Sequence, residues 1–277
     1  MSSIEHQLTE LYVFVDDCLQ TKHTLAAWRH SPNNQPAFSD AEVLTLALLS
    51  GCLGVASLKQ TYRLVAANWR SAFPQLCSYA QWLARLHALS ALLGTLLRAT
   101  TNVSPQSPTF YLIDSKPIPV CYPLRHRRVR LLREDGAWFG KTSKGWFFGF
   151  KLHVLRHIDG RIVNLVLTPG NWDDREALLP LVQGVAGGIT LGDLGYQGRQ
   201  RAEECAAEAD MFVFTRAEAP AQQVLLTQVR EAIETTFSQL WYQFVDQVFA
   251  RSWQGLWNAI QLKVIHYNLR HAGVLSV

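Results

Sequence analysis

Residues 109–119, TFYLIDSKPIP, combine a short apolar run with a carboxylate and two prolines. The apolar and aromatic run at 110–113, with prolines on both sides, predicts a short β-strand. Asp114 stands where that run stops. An ionised carboxylate is costly to bury alone, so at the end of a strand it needs a hydrogen-bond donor, a cation or a metal as its partner. Taken alone, Asp114 is equally well explained as the cap of a turn before Pro117.

Composition places the chain among globular proteins. Its 277 residues are 48% hydrophobic and 17% charged, which is enough for one large domain or two ordinary ones. The five cysteines are odd in number and form no C-x-x-C pair, which favours a reduced chain over a disulfide framework or a zinc site. The start resembles no secretory signal, and the longest apolar stretch, residues 43–55, is too short to span a bilayer. We expect a cytoplasmic protein without a membrane partner.

The first hundred residues have the apolar spacing of helices. The segment Ser-Asp-Ala-Glu at 39–42 is a capping-box pattern that predicts a helix start. Helices are predicted over residues 3–29, 40–53, 57–69 and 78–100. The polar, proline-rich segment 101–108 is a natural boundary, so we predict an all-α domain over 1–104 and a second domain over 105–277.

Two functions fit the predicted helical domain equally well. It could recognise DNA ends in the manner of a helix-turn-helix module, with Arg63, Arg70 and Arg85 as phosphate contacts. It could also simply pack against the rest of the chain or dimerise, with these arginines on a solvated surface, because a fold does not give a function.

A basic and aromatic segment follows the first strand. Between residues 125 and 151, eight Lys or Arg stand against two acids, and tryptophans and phenylalanines lie among them. Basic side chains neutralise phosphates and aromatic faces stack on unpaired bases, so the segment favours nucleic acid over a solvated loop beside a buried strand. The predicted DNA contacts are Arg125, Arg127, Arg128, Arg130, Lys141 and Lys144.

Two further apolar segments, residues 146–157 and 161–168, are rich in β-branched and aromatic residues. The turn His-Ile-Asp-Gly at 157–160 joins them, and Asp-Gly before a strand predicts an antiparallel hairpin. Asp173 and Asp174 come just after this hairpin. Acidic residues there are best explained as caps at the positive N-terminus of a helix.

The opening pattern repeats at residues 188–196, GITLGDLGY, where a short apolar strand ends on Asp193. Gly192 and Gly195 allow close approach of the backbone beside that carboxylate. A helix and another strand follow. Antiparallel strands followed by strand–helix alternation predict an α/β fold, a mixed sheet with helices packed on it.

A third carboxylate, Glu234, lies in a predicted helix over 224–248, four residues after Arg230. The plain explanation is a surface ion pair of about 0.2–0.5 kcal/mol. Two strand-end carboxylates and one on a helix can, however, converge above the edge of a sheet, where they repel one another unless divalent cations are present. Mg²⁺ prefers such oxygen ligands, and two ions can activate a water or a 3′-hydroxyl towards a phosphodiester.

Five blocks together resemble the DDE transposases of bacterial insertion sequences, across roughly residues 108–277. They are YLIDSKP at 111–117, KTSKGWFFGFKLH at 141–153, LTPGNWDDR at 167–175, GDLGY at 192–196 and R-x-x-I-E-T-T-F at 230–237. The resemblance implies a ribonuclease H-like fold and a transposase that cleaves the ends of an element and transfers a strand into target DNA. It implies Asp114, Asp193 and Glu234 as the catalytic, metal-binding triad, with two Mg²⁺ ions for which Mn²⁺ can substitute. Double-stranded DNA and a homodimer are the implied partners.

One signature of these transposases is incomplete here. Arg230 fits its Arg and is a further predicted DNA contact, but the Tyr of the signature is replaced by Thr227 and its Lys by Trp241. In the family that Lys contacts a phosphate near the end of the element. Two alternatives therefore stay open: a DNA-binding transposase remnant with impaired catalysis, and a metal-dependent nuclease of the same fold.

Overall fold

The chain forms two compact units in a computed structural model. One, the helical unit, comprises Met1–Thr100 and Gln243–Val277; the other, the sheet unit, comprises Thr101–Tyr242. The structure describes residues 3–21, 36–101, 109–128, 130–142, 145–215, 220–242 and 250–276, without the side chains of 220–226, 229, 230 and 241. No helix in these ranges combines the length and apolar composition that crossing a bilayer requires.

The helical unit begins with five helices close to the predicted positions. They are α1 (Ile4–Thr21), α2 (Asp40–Cys52), α3 (Leu58–Asn68), α4 (Tyr79–Ala88) and α5 (Ser90–Thr100). The predicted capping box is present: the Ser39 hydroxyl accepts from the Glu42 amide at 3.1 Å, and the Glu42 carboxylate accepts from the Ser39 amide at 2.6 Å. Ser78 and Gln81 form a second capping box that opens α4. The part of the first predicted helix beyond Thr21, residues 22–29, lies outside the described residues.

The helix predicted over 78–100 is two helices. It breaks at Leu89, which caps the end of α4 and is 1% exposed. The apolar spacing continues through the break, so the break could not be predicted from that spacing. The cause is tertiary: the Ser90 hydroxyl at the start of α5 hydrogen-bonds to Asn258, 168 residues further along the chain.

The last helix, α9 (Trp253–His271), packs in the helical unit. This differs from the predicted division, which placed all of residues 105–277 in one domain. Nearly every side chain from Leu256 to Leu269 is buried, including polar ones, so α9 is a central helix and needs neighbours on several sides. Asn268, which is fully buried, hydrogen-bonds to the Thr100 hydroxyl of α5 at 2.9 Å.

The three arginines predicted as phosphate contacts in the helical unit differ in surroundings. Arg63 and Arg70 are exposed, as the prediction requires. Arg85 is half-buried, ion-pairs with Asp40 at 2.5 Å and hydrogen-bonds to the Phe38 carbonyl. Its guanidinium is thus used to fix the start of α2.

The sheet unit contains a six-stranded mixed sheet of order β2-β3-β1-β5-β6, with β4 paired to β3. Its strands are β1 (Phe110–Cys121), β2 (Trp138–Thr142), β3 (Gly145–His157), β4 (Ile162–Pro169), β5 (Gly188–Gly192) and β6 (Met211–Phe214). The predicted hairpin is confirmed, with β3 and β4 antiparallel. Strand β2, which lies in the basic segment, was not predicted.

Strand β1 is three times as long as predicted, because it runs on through Pro117 and Pro119. It pairs with β3 along its length, but with β5 only over residues 110–113. Past Asp114, one edge of β1 has no strand neighbour in the described ranges. Proline lacks the amide that a central strand must donate, and an unpaired edge tolerates it.

Helices cover both faces of this sheet. The remaining ones are α6 (Leu178–Val182), α7 (Arg199–Ala209) and α8 (Pro220–Tyr242). Tyr111 and Ile113 of β1 belong to the core cluster that includes Leu178 and Cys205 of α6 and α7. Side chains alternate along a strand, so Asp114 and Lys116 point to the opposite face. There the Lys116 ammonium lies 5.6 Å from the ring centre of Phe237 in α8.

We predict that Gly51→Ala destabilises the helical unit by about 1–3 kcal/mol, because added atoms in a packed core force neighbours to move. A Cβ at Gly51 would lie under 3.0 Å from the imidazole of His266, which is 2% exposed. Gly94 is the matched control, since its nearest neighbour would be the flexible tip of Arg98 at 3.7 Å. Gly94→Ala should leave stability unchanged or raise it by about 0.5–1 kcal/mol. Urea unfolding measures both, and equal stability of the two variants would contradict the packing of α9 on α2.

Candidate active site

Asp114 and Asp193 occupy equivalent positions on two neighbouring parallel strands. Ile113 of β1 pairs with Gly192, the last residue of β5, so the next residue of each chain segment is an aspartate. Carboxyl ends of parallel strands meet at the same edge of a sheet. The register of β1 and β5 therefore brings these two predicted site residues together.

The Asp114 carboxylate is held by its neighbour and destabilised by its surroundings. Its Oδ1 accepts a 2.7 Å hydrogen bond from the Ser115 amide. The pKa of Asp114 is raised to about 6, chiefly by burial. The negative charges of Asp193 and Asp174 raise the pKa further, whereas the Ser115 amide and Lys116 lower it. The ionised form of Asp114 is thus only partly compensated.

Asp193 begins the 3₁₀ turn Leu194–Tyr196 and caps it with its own side chain. The Gly195 amide donates to Asp193 Oδ1 at 2.9 Å. A Cβ at position 195 would lie 3.0 Å from that oxygen and 3.1 Å from Asp174 Oδ2. Glycine is therefore needed there for the two carboxylates to approach the same point of the backbone.

Both Asp173 and Asp174 were predicted to be helix caps. In the structure they have different partners. Asp173 is a cap: it accepts from the Arg175 amide at 3.1 Å and from its guanidinium. Asp174 points instead to β1 and β3, where it binds the Lys151 ammonium and lies 3.4 Å from the Ser115 hydroxyl. It is an acidic residue of the site that sequence reasoning missed, since only the tertiary structure separates it from Asp173.

Lys151 supplies a positive charge beside these aspartates. Its ammonium donates to the Asp174 carboxylate and to the Trp172 carbonyl, and its side chain is 16% exposed. An open pocket of about 380 Å³ adjoins this ion pair. Its lining residues are Lys151, Asp173, Asp174, Arg175, Leu194, Gly195 and Gln197.

Glu234 lies on the exposed face of α8. It borders a surface pocket of about 510 Å³ with Glu231 and Ser238, while Phe237 and Leu240 are buried on the opposite face. Helix α8 packs on the sheet face to which Asp114 points, but the acids that shift the pKa of Asp114 are Asp193 and Asp174. The described coordinates thus bring Asp114, Asp174 and Asp193 together and give no contact between Glu234 and the predicted pair.

The predicted DNA contacts that can be located are at the surface. The exposed residues are Arg125, Arg127, Arg128, Arg130 and Lys141. The Lys141 ammonium lies 5.7 Å from the ring centre of Trp146, which is 62% exposed. Lys144 and the side chains of Arg230 and Trp241 lie outside the described residues.

The donors of this site have the chemistry that a divalent cation needs. Asp114 and Asp193 offer carboxylate oxygens at adjacent strand positions, and Mg²⁺ is commonly held by one or two carboxylates together with waters and substrate phosphates. A cation would also relieve the repulsion that raises the pKa of Asp114. No cluster of three His, Cys, Asp or Glu side chains in the described ranges has the spacing of a metal site. The register of β1 and β5 thus offers a pair of carboxylates, Asp114 and Asp193.

Comparison with known families gave a match over residues 105–243, slightly more than half of the chain, to the transposase DDE domain. Domains of this kind generally use divalent metal ions. Neither curated proteins nor solved structures gave a match.

We predict that Asp114→Asn raises the melting temperature above pH 6. The pKa of Asp114 is about 6 in the fold and near 3.8 in the unfolded chain. The wild type therefore carries a destabilising charge that is complete above pH 6 and is lost as the pH falls to 4. The free energy of unfolding of Asp114→Asn should exceed that of the wild type by on the order of 2 kcal/mol at pH 8.

Thermal melts between pH 4 and pH 8 measure this difference, and Asp159→Asn is the control of opposite sign. Hydrogen bonds from Arg161 and His157, which outweigh desolvation, lower the pKa of Asp159 to about 2. That aspartate stabilises the fold above pH 4, so its substitution should lower the melting temperature at pH 8. If Asp114→Asn also lowered it there, the description of Asp114 would be wrong.

Proposed function

Because the chain belongs to the transposase DDE domain family, we propose that it is a DNA transposase. It would cleave phosphodiester bonds at the ends of a bacterial insertion sequence and join the freed 3′-hydroxyl to target DNA. The observation that carries the proposal is the pairing of Ile113 with Gly192, which sets Asp114 beside Asp193. The mixed sheet, antiparallel at β3 and parallel at β5, supports a ribonuclease H-like fold for this unit.

Within this proposal, Asp114, Asp193 and Glu234 would hold the divalent ions, two in number. Bound Mg²⁺ or Mn²⁺ would supply a polarised phosphate and an activated attacking oxygen. The chain itself fixes the ligands: the Ser115 amide orients Asp114, and the Gly195 amide orients Asp193. Glu234 comes from the exposed face of α8, and the opposite face of this helix packs against β1.

DNA would be bound through the exposed basic residues of the segment after β1. Four arginines between 125 and 130 are exposed, and Lys141 lies against the exposed ring of Trp146. Cations of this kind neutralise backbone phosphates without reading sequence. Arg63 and Arg70 of the helical unit, residues 1–104 in the predicted division, are further candidates for contacts to the ends of the element. Because two ends must be processed together, the working form would be a homodimer in the cytoplasm.

A second candidate is a DNA-binding transposase whose catalysis is impaired. Two observations favour it: no contact joins Glu234 to Asp114 or Asp193 in the described residues, and Trp241 stands where the family signature has Lys. Such a protein would bind the ends of its element without cutting them. A metal-dependent nuclease without strand transfer would cut them but join nothing.

We predict metal-dependent nicking of DNA that flanks the gene. A labelled duplex carrying that flanking sequence is incubated with Mg²⁺, with Mn²⁺ and with EDTA. Nicks should appear only with metal, and Asp114→Asn should abolish them while leaving DNA binding within about twofold, since removing one partner of a concerted site costs most of its rate. Cleavage that survives in Asp114→Asn would disprove the site. Binding without nicks in either metal would favour the impaired protein, and Trp241→Lys then tests whether the missing Lys is the cause.

We also predict that Arg127→Gln with Arg128→Gln weakens DNA binding and flattens its dependence on salt. Each phosphate contact contributes about 0.9 to the slope of log affinity against log salt, so the slope should fall by about 2. The control is Arg199→Gln with Arg201→Gln, which removes the same charge from arginines that ion-pair with Glu203, Glu176 and Glu204. Fluorescence anisotropy at several salt concentrations measures both. If both double variants lost the same DNA affinity and salt dependence, binding would depend only on the net charge of the protein.

A further inference from the structure

A chain of buried polar side chains lies directly behind the aspartates. His153 of β3 is fully buried. Its Nδ1 is 2.7 Å from the Tyr196 hydroxyl, and its Nε2 is 2.9 Å from the Thr168 hydroxyl of β4. Tyr196 and Thr168 are themselves 1% and 3% exposed. We call these three residues the His153 relay.

The protonation states of His153 and Tyr196 determine which hydrogen bonds the relay can make. Burial lowers the pKa of His153 to about 4, so near neutral pH the ring is uncharged and carries a single N–H. Burial, with the nearby charges of Asp174 and Asp114, raises the pKa of Tyr196, so its phenol keeps its proton. Since the ring has one donor and one acceptor, the hydroxyl of Tyr196 and that of Thr168 each have a bond to make. Every ring nitrogen is therefore satisfied by a specific partner.

The relay is connected to the aspartates at two points. Tyr196 is the last residue of the 3₁₀ turn that Asp193 begins and caps. Ser115 stands opposite His153 in the pairing of β1 with β3, and its hydroxyl lies 3.4 Å from Asp174. The amide of the same Ser115 holds Asp114.

A relay placed in this way joins the Asp193 turn to β3 and β4. His153 and Thr168 belong to two strands of an antiparallel pair, whereas Tyr196 belongs to a short turn that has no helix or strand of its own to fix it. The turn is exposed from Asp193 to Gly195, so its anchor is the buried ring of Tyr196. An apolar ring would pack there equally well, but it would have no directional bond to fix the angle of the turn.

We propose that the His153 relay is a positioning device that fixes the Asp193 turn against β3, the strand that pairs with β1, and thereby sets the separation of the Asp193 and Asp114 carboxylates. None of its three residues would touch substrate or metal. The alternative is that His153 is an ordinary satisfied core residue, which adds to global stability and nothing else. The effect of the relay on metal affinity rests on the proposed function, whereas its effect on the turn does not.

The test is Tyr196→Phe in the full-length protein, which removes one hydroxyl and keeps the buried ring. Two quantities are measured: hydrogen exchange of the amides at 194–196 without metal, by mass spectrometry, and Mn²⁺ affinity, by electron paramagnetic resonance. Exchange should rise about fivefold, as expected when a buried hydrogen bond is lost. Mn²⁺ should bind about tenfold more weakly, the usual effect of losing an outer hydrogen bond of a metal site.

Tyr111→Phe is the matched control. Tyr111 belongs to the same core cluster as Tyr196, is 2% exposed, and donates its hydroxyl to the Ala186 carbonyl at 3.0 Å. Loss of the Tyr111 hydroxyl removes a comparable hydrogen bond, but at Ala186, which precedes β5, whereas Tyr196 follows β5. Exchange at 194–196 and Mn²⁺ affinity should stay within about twofold of the wild type. Thr168→Val interrupts the relay at its other end and should reproduce Tyr196→Phe in weaker form.

The outcomes separate the positioning role from the proposed function. If Tyr196→Phe leaves exchange at 194–196 unchanged, or if Tyr111→Phe raises it equally, the relay is only a stabilising part of the core and the proposal falls. If exchange rises in Tyr196→Phe alone but the wild type binds no Mn²⁺, the turn is positioned as proposed and the metal-dependent function fails. A rise in exchange with full Mn²⁺ affinity would overturn the claim that the turn sets the carboxylate separation.

Discussion

The parallel pairing of β1 with β5 over four residues is the interaction on which the sheet unit depends. It ends at Ile113 and Gly192, and both chain segments continue with an aspartate. A slip of one residue would move every side chain of β1 to the other face. Asp114 would then point into the cluster under α6 and α7. The buried residues Tyr111 and Ile113 therefore specify the geometry of the site as well as the core.

Local patterns predicted much of this architecture, because they report interactions between near neighbours. The capping box at Ser39, the Asp-Gly turn between β3 and β4, and the aspartates that end apolar runs are all visible in the sequence. Where tertiary contacts decide, the sequence was insufficient. Residues around Leu89 keep helical spacing, yet the helix breaks there because Ser90 bonds to a distant asparagine. Asp174 and Asp173 are neighbours of the same type, and only the position of Lys151 distinguishes them.

The electrostatics of the aspartates oppose the stability of the fold. Burial and two like charges act on Asp114, and a single amide and Lys116 offset them only in part. Groups held in such an unfavourable state are concentrated at functional sites, where a ligand of opposite charge relieves them. The Lys151 ammonium neutralises Asp174 through an ion pair within the protein. Asp114, half-buried at the end of the β5 pairing, has no equivalent ion pair in the described coordinates.

Pro117 and Pro119 also have an effect on the behaviour of the protein in solution. Beyond Asp114 one edge of β1 has no strand neighbour among the described residues. An edge with free amides is a template on which other chains can add a strand. Two prolines in three positions remove alternate donors from that edge. This edge of β1, next to the aspartates, therefore resists the edge-to-edge association that leads to aggregates.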